Sequence, residues 1–285
     1  MAASPSDPAS GPNKVWFITG TSSGFGRAFA EYALIRGHQV VATARNTETL
    51  MDLSAKAPDR VIALSLDVTR AGDAEKAIAA AVARFGRIDV LINNAGYGLV
   101  GALEETSDAE LRALMNTNFF GAMAVTRAAL PTFRAQGFGA IVNISSMGGQ
   151  MSFAGFSAYS AAKFALEGAS EALAQEMAPF NVKVLIVEPG QFRTDLAGAG
   201  MRHMPQMEAY KDSVGPTRVF AHDMHHTQPG DPARAAAAIE TALDAKVTPL
   251  RLALGGDAVD AIRGHAQTLL ADMATWEQVS RGTSF

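Results

Sequence analysis

The sequence predicts one α/β domain, a doubly wound parallel sheet of about seven strands with helices on both faces. Three observations carry this. Short β-branched apolar runs stand at residues 15–19, 40–43, 61–66, 90–93, 140–145 and 182–188, with a further short run at 250–254. Longer helical patterns separate them, and strands joined through helices pair in parallel. The runs are apolar at both alternating positions, as in Ala140-Ile141-Val142-Asn143-Ile144, which suits strands buried under helices on both sides.

The elements between the strands follow from periodicity. Phe25, Phe29 and Tyr32 recur at helical spacing, as do Ile78, Val82 and Phe85, and each set makes one apolar stripe for the sheet. The helix expected over 158–180 is rich in small residues (Ala161, Ala162, Ala165, Gly168, Ala169, Ala172), so another helix can approach it closely. Two uses stay open for that face: a subunit interface in a homodimer or homotetramer, or packing within the monomer. From 197 to 230 the pattern breaks into Gly, Pro, Met and His, as expected of a substrate lid with helical pieces. Periodicity returns at 231–243, and a final helix is expected over 257–278. No repeat and no linker divides residues 13–285, which form a single domain.

Composition sets the function classes. In 285 residues, 48% are hydrophobic, enough for a sizeable core. Net charge is −4 and the basic residues are dispersed, which argues against nucleic acid or an anionic membrane surface as partner and for a small molecule. With no cysteine there is no disulfide, no thiolate nucleophile and no thiolate zinc site, and a reducing cytoplasm fits. Residues 1–12 are Ala-, Ser- and Pro-rich without a signal-peptide core, and read as a disordered tail. The longest apolar runs fall far short of the ~20 residues a membrane span needs.

Directly after the first strand, Thr19-Gly20-Thr21-Ser22-Ser23-Gly24-Phe25-Gly26 opens a helix, so its glycines fall where a tight turn brings backbone close to phosphate. A pyrophosphate would sit on that helix's N-terminus, in a Rossmann-type arrangement. At the end of the second strand, where a carboxylate would receive the ribose hydroxyls of NAD, the chain has Ala44 and Arg45. A guanidinium there grips a 2′-phosphate and selects NADP(H); a solvated surface arginine is the plainer alternative. Tyr159 and Lys163 stand four residues apart, hence one turn apart on one helix face. A cation at about 4 Å with an effective dielectric near 20 is worth ~4 kcal/mol, or ~3 pKa units, so Lys163 and an oxidised nicotinamide would together bring Tyr159 towards neutrality as an acid–base group.

The spacing T-G-x-x-x-G-x-G resembles that of the short-chain dehydrogenase/reductase family, and other segments agree. Asn93-Asn94-Ala95-Gly96 looks like the family's N-N-A-G signature, which supports the sheet and lies along the cofactor. Asp67-Val68 resembles the pair that holds the adenine ring, although Asp67 could equally cap the helix that follows. The resemblance places the catalytic serine at Ser146, with Ser145 its rival, and a proton-relay asparagine at Asn118, with Asn116 its competitor. Pro189-Gly190 followed by Thr194 is similar to the motif bordering the nicotinamide amide. The resemblance thus implies Asn118, Ser146, Tyr159 and Lys163 as catalytic. It implies Gly20, Ser22, Ser23, Gly24, Phe25, Gly26, Arg45, Asp67, Val68, Asn94, Ala95, Gly96, Tyr159, Lys163, Pro189, Gly190 and Thr194 as cofactor residues. Lys163 would also hold the nicotinamide ribose.

The histidines of His222-Asp223-Met224-His225-His226 lack a regular scaffold, and no metal is expected. Met147, Met151, Phe153, Phe156, Phe192, Met201, Met204, Met207 and Tyr210 suggest an apolar, adaptable pocket, and the style of the sequence is similar to the 17β-hydroxysteroid-dehydrogenase-like branch. The expected function is NADP(H)-dependent interconversion of a hydrophobic ketone and a secondary alcohol. The alternative is a non-catalytic NADP(H) sensor or scaffold, against which the complete Ser146, Tyr159 and Lys163 argue. A sugar-nucleotide epimerase or dehydratase would want a different glycine spacing and a larger C-terminal part.

Overall fold

The structure is a computed structural model that describes residues 13–225 and 227–285; the tail expected over residues 1–12 lies outside the described residues. In chain order the first half runs β1 (Val15–Ile18), α1 (Gly24–Ile35), β2 (Gln39–Ala44), α2 (Met51–Lys56), β3 (Val61–Ser65), α3 (Asp73–Phe85), β4 (Val90–Asn93) and β5 (Gly98–Val100). It continues through α4 (Asp108–Met115), α5 (Ala122–Gln136), β6 (Gly139–Ile144), α6 (Ser157–Met177) and β7 (Val182–Pro189). The last part is β8 (Met201–His203), α7 (Lys211–Asp223), α8 (Pro232–Asp244), β9 (Arg251–Leu254) and α9 (Gly256–Arg281).

Seven strands pair in parallel in the order β3-β2-β1-β4-β6-β7-β9. Strand alternation explains why β1 is apolar throughout. Val15 and Phe17 enter one core layer with Val125, Phe133 and Leu173, whereas Trp16 and Ile18 enter the other with Phe29 and Ile239. Two helical layers, α3–α5–α6 and α1–α8, therefore cover the two faces of the sheet, with its edge strands β3 and β9 half-buried. The strand order reverses between β1 and β4, and the crevice at the carboxyl ends of such strands is where an open α/β sheet binds ligands.

The segment 197–230 is more regular than its composition suggests. β8 pairs in parallel with β5 (Gly98↔Met201 to Val100↔His203), and α7 is thirteen residues long despite Gly215 and Pro216 inside it. A buried ion pair anchors it. Arg218 Nη2 lies 2.6 Å from Glu105 Oε2, and Glu105 also accepts from Ala102 N at 2.7 Å and Met207 N at 2.8 Å. Burial opposes ionisation of Glu105, but those two N–H donors and Arg218 outweigh it and hold its carboxyl below the usual range.

Candidate active site

A cleft of about 680 Å³ opens at the carboxyl ends of β1, β2, β4 and β6. One end is the glycine turn. Gly20 and Gly24 adopt positive φ of 69° and 56°, which only glycine accepts readily. Gly26 is fixed by contact: a Cβ there would stand 2.2 Å from the Gly20 carbonyl oxygen and 2.5 Å from Asn94 Nδ2. Asn94 closes this knot, its amide donating to Thr19 O at 2.9 Å and Gly20 O at 3.0 Å, while Thr19 Oγ1 accepts from the Asn94 and Ala95 N–H groups. Asn93 continues the bracing inward to Asn143 and Thr126, and Asn143 reaches Ser170. The start of α1 carries no acidic residue in its first turn and no side-chain cap, so its N–H groups and positive dipole end are left for an anion.

Along the cleft, Asp67 does not cap α3, which begins at Asp73. Its Oδ1 instead accepts from Thr69 N at 3.0 Å and Thr69 Oγ1 at 2.7 Å, and the Thr69 hydroxyl is the main influence holding its carboxyl below the ordinary value. Val68 is packed where a Cβ on Gly121 would come within 2.6 Å of it. Arg45 is exposed at the rim, next to Ala44. Pro189 and Gly190 form the opposite wall with Thr194, which faces Gly24 across the cleft.

At the inner end Ser146, Tyr159 and Lys163 come together. Ser146 caps the turn after β6, its Oγ accepting from Gly148 N at 3.0 Å, and its hydroxyl lies near enough to the Tyr159 phenol to act on it. Lys163 is buried one turn below Tyr159 and donates to Ile144 O at 2.8 Å. Burial pushes the phenol up, with the Ser146 hydroxyl working against it. Burial pushes the lysine down to about 8, opposed by the charge of Glu167. The expected lowering of Tyr159 by Lys163 is therefore not a property of the protein by itself: the ammonium sits 5.7 Å from the ring centre and is itself weakened by desolvation.

The cleft includes every expected cofactor residue except Gly26, which lies behind it, and every expected catalytic residue except Asn118. Asn118 is buried in a π-helical turn, Asn116–Gly121, and both ends of its amide are taken by Tyr97: Oδ1 accepts from Tyr97 N at 3.1 Å and Nδ2 donates to Tyr97 O at 2.8 Å. Its competitor Asn116 lines the cleft. Ser145 lines it too, its Oγ buried without a hydrogen-bond partner among the described residues. Of the apolar residues expected in a pocket, Phe192 lines the cleft, Phe156 packs on Tyr159, and Met204 is buried with Leu99, Leu114 and Ala158. Leu196, Ala199, Tyr97 and Arg202 line it instead, with the Arg202 guanidinium 4.5 Å over the Tyr97 ring. One support escaped sequence reasoning altogether: Asp257, at the start of α9, accepts from Gln191 N at 2.7 Å and props the Gly190 turn. Of the histidines, His222 is exposed beside Asp223, His225 packs against Gly198, and His226 lies outside the described residues.

A glycine cradle at one end of a cleft and a hydroxyl–phenol–ammonium group at the other define a class, the dinucleotide-dependent oxidoreductases. Comparison with known proteins agrees and sharpens it. The family model for short chain dehydrogenase matches residues 14–204. The chain is 40% identical over 271 residues to Oxidoreductase BOA17 of Botryotinia fuckeliana, covering 94% of this chain and 98% of that one. A solved short-chain dehydrogenase from Streptomyces avermitilis is 57% identical and superposes with TM-score 0.91 over 96% of this chain and 100% of that one. A 3-ketoacyl-(acyl-carrier-protein) reductase from Brucella melitensis, solved with NADH, is 26% identical with TM-score 0.73 over 87% and 99%. The chain belongs to the short-chain dehydrogenase/reductase family and is an oxidoreductase.

Proposed function

We propose that this protein moves hydride between NADP(H) and a hydrophobic ketone or secondary alcohol, with Tyr159 as general acid and base. The observation that carries it is the convergence of Tyr159, Ser146 and Lys163 at one end of the cleft that the glycine turn opens. The cradle fits a pyrophosphate, because Gly26 leaves room only for backbone and α1 begins without a competing acid. Gly20 to Gly26 would hold that group, Asp67 and Val68 the adenine, Asn94 to Gly96 the middle, and Pro189, Gly190 and Thr194 the nicotinamide. When bound, the nicotinamide supplies the hydride.

The chain's own residues do the rest. Tyr159 delivers a proton to the substrate oxygen in reduction and takes it in oxidation, while Ser146 Oγ donates a second hydrogen bond to that oxygen. Lys163 spends one donor on Ile144 O and keeps two for the ribose. Phe192, Leu196 and Ala199 supply the apolar contact that favours a hydrophobic substrate, in keeping with the resemblance to the 17β-hydroxysteroid-dehydrogenase-like branch. The α7 segment acts as the lid. The outer face of α6, where Ala161, Gly168 and Ala172 are exposed, is free to serve a homodimer or homotetramer in the cytoplasm. No helix of the described residues is long and apolar enough to cross a membrane.

A panel of ketones and alcohols followed at the NADPH absorbance band tests this reading. Tyr159→Phe should cut turnover by orders of magnitude at nearly unchanged NADPH affinity. Near-normal turnover of that variant defeats the mechanism, and a wild type inert to the whole panel while binding NADPH favours the sensor.

A further inference from the structure

The last helix ends in open solvent. α9 is 26 residues long, about 39 Å at 1.5 Å per residue, but only its first turns touch the body: Ala258 is buried, and every residue from Ala266 onward is exposed. The exposed part is not polar. Leu269, Leu270, Met273, Trp276 and Val279 are 51–69% exposed; Ile262, Ala266, Leu269, Met273 and Trp276 follow one another at alternating spacings of four and three, with Leu270 and Val279 on the flanks of that stripe. That spacing is the seam of a two-helix coiled coil, and a stripe of this size left in water marks an interaction surface.

We propose that a second copy of this chain covers the stripe, the two α9 helices packing antiparallel about a two-fold axis beside Leu270. The sequence of α9 is complementary to itself in that register. Ala266 meets the partner's Trp276, the smallest seam residue against the largest, and Leu269 meets the partner's Met273. On one flank Arg263 faces the partner's Glu277, a pair that symmetry makes twice, and Leu270 faces the partner's Leu270 on the axis. On the other flank Asp272 faces the partner's Asp272, the one repulsive contact. A parallel pair is worse: it sets Asp272 against the partner's Glu277 twice and stacks Trp276 on the partner's Trp276. A lipid surface is a poorer occupant, since the polar face carries Asp260, Asp272 and Glu277 among Arg263, His265 and Arg281 and is not basic. Residues 1–12 offer only Met1 as a large apolar side chain. The interface is separate from the outer face of α6, and with both in use the assembly is a tetramer.

The chain has no cysteine, so single cysteines test the register directly in the full-length protein. Leu270→Cys should be cross-linked to a dimer by a short bis-maleimide, and Ala266→Cys should not; the reverse result overturns the antiparallel arrangement. By light scattering, Leu269→Lys with Met273→Lys should lose one step of association, with the far-UV circular dichroism largely kept because both sites are exposed in the single chain. An unchanged mass overturns the proposal. Arg263→Glu should raise the dissociation constant several-fold and Arg263→Glu with Glu277→Arg should restore it; failure of the rescue defeats the assigned pairing. A wild type that stays monomeric at micromolar concentration yet sediments with phosphatidylcholine–phosphatidylglycerol vesicles assigns the stripe to membrane instead.

Discussion

Removing the Glu105 carboxylate tests how the segment proposed as the substrate lid is held. Its side chain is 1% exposed and that of Arg218 8%, and three donors converge on it from Ala102, Met207 and Arg218. Among the described residues, Glu105→Ala leaves the guanidinium with Met204 O at 2.9 Å as its one remaining hydrogen-bond acceptor. Leaving one charge of a buried pair uncompensated costs ~3–5 kcal/mol, and each orphaned N–H adds ~1–3 kcal/mol unless water reaches it. The protein need not bear that sum globally, because the segment can open. Opening gives up the three-residue β5–β8 ladder and the burial of Met204, Val214 and Ala221, and leaves the seven-stranded sheet intact. The loss should therefore appear locally. At 1.4 kcal/mol per decade, ~3–4 kcal/mol is a fall of ~10²–10³ in hydrogen-exchange protection of the α7 amides, with β1 and β4 amides nearly unchanged. Substrate KM should rise with it. Glu105→Met combined with Arg218→Met should regain most of the protection, since an apolar pair removes the buried charge that the single variant strands. Wild-type exchange in α7 of Glu105→Ala, or a double variant worse than the two singles combined, refutes this account of the lid.

Three further outcomes follow from the site. Arg45 at the rim should give a preference for NADP(H) over NAD(H) of roughly ten- to a hundredfold in kcat/KM, from a charge-assisted contact of ~1.5–3 kcal/mol, and Ala44→Asp with Arg45→Ser should invert it; equal efficiency of the wild type with both cofactors means Arg45 serves solvent. Gly26→Ala forces a methyl against the Gly20 carbonyl, a backbone atom that cannot rotate away, so melting temperature should drop with a cost of ~1–3 kcal/mol or more and NADPH affinity should weaken at least about tenfold; a fluorescence titration matching wild type excludes the close-approach argument. Glu188 is pushed up to about 7, first by burial and then by the neighbouring Glu167 charge. A raised carboxyl binds its proton more tightly folded than unfolded, so its contribution is complete below about 4.5 and declines as pH rises to about 7; Glu188→Gln should flatten the dependence of melting temperature on pH across that window, and parallel curves count against it.

What the sequence made legible was whatever is written locally. β1 needs only its neighbours to declare it a buried strand, because Val15 and Phe17 go one way and Trp16 and Ile18 the other. Tyr159 and Lys163 need only the helix that carries both, and the glycine turn only the strand before it. What stayed hidden depends on groups far apart in the chain. Glu105 and Arg218 are separated by 113 positions, so neither looked like half of a lid anchor. Arg202 and Ala199 join the cleft where β8 pairs with β5, a three-residue ladder too short to leave a pattern. The same limit explains the methionines. Met204 sits in a flexible-looking stretch, yet Leu99, Leu114 and Ala158 close over it, and it becomes core.

The α9 stripe is the converse case, legible as a helix but silent about its cover. Hydrophobic periodicity states that a face seeks burial and says nothing of which molecule provides it. Met177 on α6 and Met273 on α9 are both methionines on an apolar helical face; one is 4% exposed and the other 69%, because the sheet lies under the first and nothing described lies over the second. Side chains that the fold leaves uncovered are thus a statement about assembly rather than about folding. In α9 that statement can be read one step further, since the register in which the helix matches its own charges and sizes is itself encoded in the sequence.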